Sequence, residues 1–192
     1  MKQYLVGAWL LALVSVAPTV LAQAQIAGGG TVNFTGQVNV ASCSVSVTGG
    51  TGGGMGGGRI DVSLGVASSA DLRSQAQDPQ PGIAKEFTLA LSCPTGFAPT
   101  GYFSADSVSG QGVQVTGGAQ GVSIMLVVGV SPPIKLDLSS GKADIPESKW
   151  LWDPTSYYLP MKAYYALAPN VQAQGVQAGK ADGVLNYTMS YR

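Results

Sequence analysis

Apolar and polar residues alternate along most of this chain with a period of two. The longest such run lies near its start. From Gln23 to Phe34, read Q-A-Q-I-A-G-G-G-T-V-N-F, the even positions Ala24, Ile26, Gly28, Gly30, Val32 and Phe34 alternate with Gln25, Ala27, Gly29, Thr31 and Asn33. A strand at roughly 3.3 Å per residue would present one apolar edge over about 35 Å. The residues before it form a hydrophobic leader, so a mature chain would begin with a strand that has no partner upstream. Such a strand invites pairing with another chain.

The same period predicts the elements that follow. The alternation continues through Val38 and Val40, then changes parity so that Cys43, Val45 and Val47 share a face, which predicts a bulge or strand switch near Ala41 and Ser42. The glycine run Gly49 to Gly58 predicts a flexible loop, since its continuation Arg59-Ile60 does not complete a phosphate-binding frame. Ile60, Val62 and Leu64 predict a strand ending at Gly65, and Ser68 to Pro81 an exposed connection. Phe87, Leu89, Leu91 and Cys93 fall on one face of the next strand. Tyr102-Phe103 and Val113-Val115 are further strand candidates. The run Val122 to Val130 is nearly continuous in apolar character, which predicts a central strand ended by Pro132-Pro133.

Ile134, Leu136 and Leu138 predict a short strand, Met161 to Leu167 another, and Ala168 to Asp182 a small-residue turn region. In the closing strand, Leu185, Tyr187, Met189 and Tyr191 face one way and Val184, Asn186, Thr188 and Ser190 the other. Trp150, Trp152 and the tyrosines at 157, 158, 164 and 165 crowd the last quarter. They are read as core and cross-strand packing, with a sugar-binding platform as the alternative. No helical period is convincing outside the leader. Several short strands at turn-like spacing predict an all-β sandwich.

The leader sets the compartment. Lys2, the apolar run Tyr4 to Val16, the break at Ala17-Pro18 and the small-residue pattern Val20-Leu21-Ala22 describe a secretory signal peptide over residues 1–22, with cleavage after Ala24 as a second site. A membrane anchor is the competing reading, against which the proline and the cleavage pattern argue. The remaining chain, about 170 residues, is enough for one domain with a core of its own. Charged residues make up 10% and balance to zero, well below the roughly 25% of an average soluble protein. That leaves no basic field for nucleic acid. Cys43 and Cys93 are the two cysteines, and an even count behind a signal peptide predicts one disulfide. Closing so long a loop is worth roughly 4 kcal/mol in the chain-entropy account.

Positive evidence for an enzyme is missing. The chain has no histidine to act as general base, metal ligand or activator of a catalytic thiol. Its ten acidic residues are scattered, without a calcium loop, a nucleophile elbow or a clustered carboxylate pair. Asn33-Phe34-Thr35 and Asn186-Tyr187-Thr188 match the glycosylation sequon inside predicted strands and are read as chance. No cofactor and no metal are expected.

One set of segments, taken in order, resembles a known family. G-G-T-V-N-F-T-G-Q-V leading to a cysteine, V-S-L-G after a variable loop, F-T-L-A-L-S-C, K-A-Y-Y-A-L-A, a Gly/Ala-rich turn and the terminal N-Y-T-M-S-Y-R resemble the major structural subunits of chaperone–usher fimbriae, the type 1-like pilins. The resemblance runs from about Ile26 to Arg192 and departs from the family pattern in the glycine run and in W-L-W-D-P.

The resemblance implies an incomplete immunoglobulin-like sandwich lacking its last strand. Residues 23–36 would be a donor-strand extension and residues 37–192 the pilin domain. A periplasmic chaperone would lend the missing strand first. The extension of the next subunit would then replace it at an outer-membrane usher, which is β-augmentation by donor-strand complementation. Ala24, Ile26, Gly28, Gly30 and Val32 would be the donor residues, and Leu185, Tyr187, Met189 and Tyr191 the strand bordering the groove. The expected destination is a fimbria at the cell surface, reached through the periplasm and supporting adhesion. Alternatives are a minor or tip-adaptor pilin, a fimbrial adhesin, which would usually carry a lectin domain of its own, and, further off, a secreted β-sandwich hydrolase.

Overall fold

The computed structural model describes residues 26–38, 43–55, 58–93 and 98–191. The expected signal peptide, Ala24 and the predicted switch at Ala41-Ser42 lie outside the described residues. The strands, in chain order, are β1 (Ile26–Val38), β2 (Ser44–Thr48), β3 (Thr51–Met55), β4 (Arg59–Ser68), β5 (Lys85–Ser92), β6 (Pro99–Ser104) and β7 (Val108–Ser109). They continue with β8 (Gly112–Gln114), β9 (Val122–Val128), β10 (Ile134–Lys135), β11 (Lys142–Ile145), β12 (Leu151–Trp152), β13 (Tyr157–Leu167) and β14 (Gly183–Tyr191). Single 3₁₀ turns are the helical elements among the described residues. The protein is all-β.

One layer runs β11-β6-β14-β1-β4 and the other β2-β5-β13-β9-β8-β7, with β10 added to β9 and β12 to β13. β3 belongs to both. Thr51 and Gly52 pair with β4, while Gly53 to Met55 pair with β2. The layers meet face to face. Phe34 of β1 places its ring 5.3 Å from Phe87 of β5 in the opposite layer and 6.3 Å from Phe103 of its own, within the range of favourable tilted and edge contacts. Gly183 on β14 lies close under Ile124 of β9, 2.7 Å from where a Cβ would sit.

The central strand is β9, buried on both sides as its unbroken apolar run predicts. Val122, Ile124, Leu126 and Val128 face the core between the layers, whereas Met125 and Val127 form a second cluster with Tyr164 and Ala166 of β13. That outer cluster is packed by Ala84, from the connection between β4 and β5. The connection is more than an exposed link. Leu72 is buried, and Gln75 spans to β9 and to the β7–β8 turn, its Nε2 donating to the Ser123 hydroxyl and the Ser109 carbonyl and its Oε1 accepting from the Gln111 amide.

Several expectations need correction. The glycine run is a strand over Thr51–Met55, not a free loop. Gly49, Gly52 and Gly53 have positive φ, and side chains at Gly52 and Gly53 would collide with the Arg59 and Val45 carbonyls. Glycine there lets one short strand cross between layers at close backbone approach. Leu136 and Leu138 are buried but lie beyond β10, held by single bonds to the Leu126 and Gln111 carbonyls. Among the late aromatics the packing expectation holds for Trp150, Tyr157, Tyr164 and Tyr165, and Trp152 departs from it. Tyr165 joins the main core, Tyr164 the outer cluster, and Trp152 stands 64% exposed.

β4 shows where simple alternation fails. Ile60 and Val62 point inward, but after Gly65, at φ 75°, the inward residue is Ala67 and Val66 is exposed. Against β4, β1 carries an extra residue between Ala27 and Gly30, offset by an extra residue on β4 between Ser63 and Gly65. Register is restored from Thr31 onward. The pairing of β1 with β4 is therefore irregular around Gly30.

Candidate functional site

The predicted pairing surface is the flank of β14, and β1 of the same chain occupies it. β14 pairs antiparallel with β6 on one side and parallel with β1 on the other, from Val32 opposite Gly183 to Val38 opposite Met189. β1 is thus inserted between β14 and β4. Parallel neighbours in one sheet ordinarily need a long crossover. Here the first and last strands among the described residues meet, so nearly the whole described fold is that crossover.

The side chains of β14 and of Val32 and Phe34 follow the period-two expectation. Leu185, Tyr187 and Met189 are buried on the core face, and Val184 is 47% exposed on the other. Val32 and Phe34 are fully buried among them. Of the remaining donor candidates, Ile26, Gly28 and Gly30 lie on the part of β1 that pairs with β4 alone. The backbone of Tyr191 pairs with Pro99, and Arg192 lies outside the described residues.

Sequence reading missed Gly36, although it continues the inward parity of Val32 and Phe34. Gly36 pairs with Tyr187, and any side chain there would collide with the Tyr187 ring and carbonyl. The absent side chain lets the tyrosine cross over β1. Its hydroxyl donates to the Gly58 carbonyl at 2.9 Å and accepts from the Gly58 amide at 3.2 Å, so β14 is stapled to the start of β4 with β1 beneath. Burial raises the Tyr187 pKa, with the Gly58 bond opposing.

Asp182, also missed, stands at the start of the parallel pairing. Its Oδ1 accepts from the Thr31 amide at 2.9 Å, and its Oδ2 lies 2.5 Å from Lys180 Nζ. The lysine and the Thr31 N–H hold its carboxyl below the usual aspartate range, against a smaller opposing effect of burial. No local motif marks either residue, because both partners come from the far end of the chain.

Beyond the other end of β1, Cys43 and Cys93 form the predicted disulfide, closing a sequence separation of 50 with Cα atoms 4.4 Å apart. It joins the start of β2 to the end of β5 and so fixes the second layer immediately after the connection from β1. Both sequon asparagines lie in strands, as expected. Among the described residues, no group of three or more His, Cys, Asp or Glu side chains gathers where a metal could be held.

A scan against protein-family models finds no match, and a search of curated proteins finds none either. Among solved structures, the crystal structure of the CupB6 tip adhesin from Pseudomonas aeruginosa is similar over 62% of this chain and 37% of that chain, at 17% identity and a TM-score of 0.39.

Proposed function

We propose that this chain is a structural subunit of a bacterial surface fimbria, exported through the periplasm and polymerised by donor-strand complementation and exchange. Its partners would be a periplasmic chaperone, an outer-membrane usher and identical or related subunits, and the fibre would support cell adhesion. One observation supports the reading above the others. An N-terminal strand with buried apolar side chains fills the flank of the last strand, in a place that a strand from outside the chain could take. In this reading β1 closes its own sheet until assembly, when the chaperone's strand or a neighbour's extension replaces it.

Electron microscopy of cells with and without the gene tests the proposal. Surface fibres that vanish on deletion and return with the wild-type gene are expected, and fibres unchanged by the deletion would refute it.

A second reading, a tip-adaptor or adhesin subunit, draws on the exposed Leu151 and Trp152 of β12, which offer an aromatic surface beside Tyr157. Immunogold labelling at fibre tips alone, instead of along the shaft, would favour it.

A further inference from the structure

We propose that Asp182 is a latch that holds β1 in its own sheet and sets how readily that strand leaves. The consequence for assembly rests on the donor-strand reading above, but the latch itself does not. The parallel pairing begins at Val32 opposite Gly183, and the Thr31 amide one residue earlier is taken by the Asp182 carboxylate instead of a backbone carbonyl of β14. Upstream of that bond, Ile26–Gly30 pairs with β4 alone, through the two offset register shifts around Gly30. Downstream, residues 32–38 are paired to β14 and Val32 and Phe34 are buried. The Asp182 bond therefore sits at the boundary between the weakly and the strongly held parts of one strand.

The carboxylate is mounted firmly enough to act this way. The backbone of Asp182 exchanges two hydrogen bonds with Thr116, Thr116 N–H to Asp182 C=O at 2.7 Å and Asp182 N–H to Thr116 C=O at 2.9 Å. Lys180 neutralises the second oxygen. Hydrogen bonds to a charged acceptor are stronger than neutral ones, and their loss is felt locally when only one strand end depends on them. Local opening of one element without global unfolding is a general property of folded chains. A β1 that peels from its N-terminal end breaks only pairs with β4 as far as Gly30 and must then break the Asp182 bond before the buried segment can follow.

Hydrogen–deuterium exchange on the purified full chain tests the latch, with Asp182→Ala and Asp182→Asn beside the wild type. Asp182→Ala should speed exchange of the amides at 32–38 about tenfold, the lower end of what a bond to a charged group is worth, and leave β9 unchanged. Asp182→Asn should fall between, since its amide oxygen can still accept from Thr31 but carries no charge. Unchanged exchange in β1 for both variants would overturn the proposal. So would acceleration by the same factor in β9, which marks general destabilisation. A synthetic peptide of residues 26–38 separates the latch from the assembly reading. Faster exchange in β1 with faster peptide capture supports both, whereas faster exchange with no capture in any variant keeps the latch and removes donor-strand assembly.

Discussion

At the scale of single residues, the informative positions are those where a side chain is forbidden or a charge is held. Gly36 is the first kind, because Tyr187 passes over it to reach Gly58. Gly36→Ala is expected to cost about 1–3 kcal/mol, the usual range for overpacking a closed site. Exposed Thr35→Ala should stay within about 0.5 kcal/mol. Denaturant midpoints measure both, and a double-mutant cycle with Tyr187→Ala should recover much of the Gly36 penalty if the ring is its cause. Asp182 is the second kind. Its folded-state carboxyl titrates below the unfolded one, so the stability it contributes is complete above the ordinary aspartate pKa of about 4 and is lost as pH falls through the lowered value. Exchange at 32–38 should therefore rise below about pH 4 in the wild type. In Asp182→Asn the part of that rise due to this group should be absent.

At the scale of elements, the proposed donor-strand reading turns on β1. This strand lies inside its layer, between β14 and β4, and is the first strand among the described residues. A chain lacking residues 23–33 loses Val32 and the Thr31 anchor, and the flank of β14 opens at Gly183 and Val184. Such a chain is expected to be captured by its chaperone but to form no fibres, because it has no strand to donate. Fibres seen by electron microscopy from purified complexes of this truncated chain would exclude the donor role of β1. In the same proposed reading, deleting Tyr191 and Arg192 should reduce co-purification with a periplasmic chaperone, because β14 would be the strand it pairs. Undiminished capture would place the pairing elsewhere.

At the scale of the whole molecule, the two layers depend on ties made across long sequence separations. β3 passes from one layer to the other, and the Cys43–Cys93 bond fixes the second layer just beyond β1. In the proposed donor-strand reading, a sheet that gives up β1 needs a scaffold that does not unravel with it. Removing the disulfide by a Cys43→Ser, Cys93→Ser double substitution should cost roughly 4 kcal/mol in the chain-entropy account. That is a large share of the 5–15 kcal/mol typical of a domain. Thermal unfolding of the double variant and the wild type measures it, and equal midpoints would show that the bond contributes nothing to the fold.

Sequence alone determined what period and composition can carry. The inward parity of Leu185, Tyr187 and Met189, the burial of β9, the disulfide and the all-β class all follow from local alternation or from residue counts. The tertiary structure decided everything that depends on which strands become neighbours. Alternation in the first strand shows that it needs a partner but cannot say that the partner is β14 of the same chain, in parallel. The Gly-rich run reads as a loop by composition, and is a strand because β2 and β4 pair with it, at an approach that excludes any side chain at Gly52 and Gly53. Tyr187 over Gly36 and Asp182 against Thr31 are invisible locally for the same reason, since each joins residues about 150 positions apart. A period of two specifies which face of a strand is buried. The pairing of strands is settled only when the whole chain has closed around them.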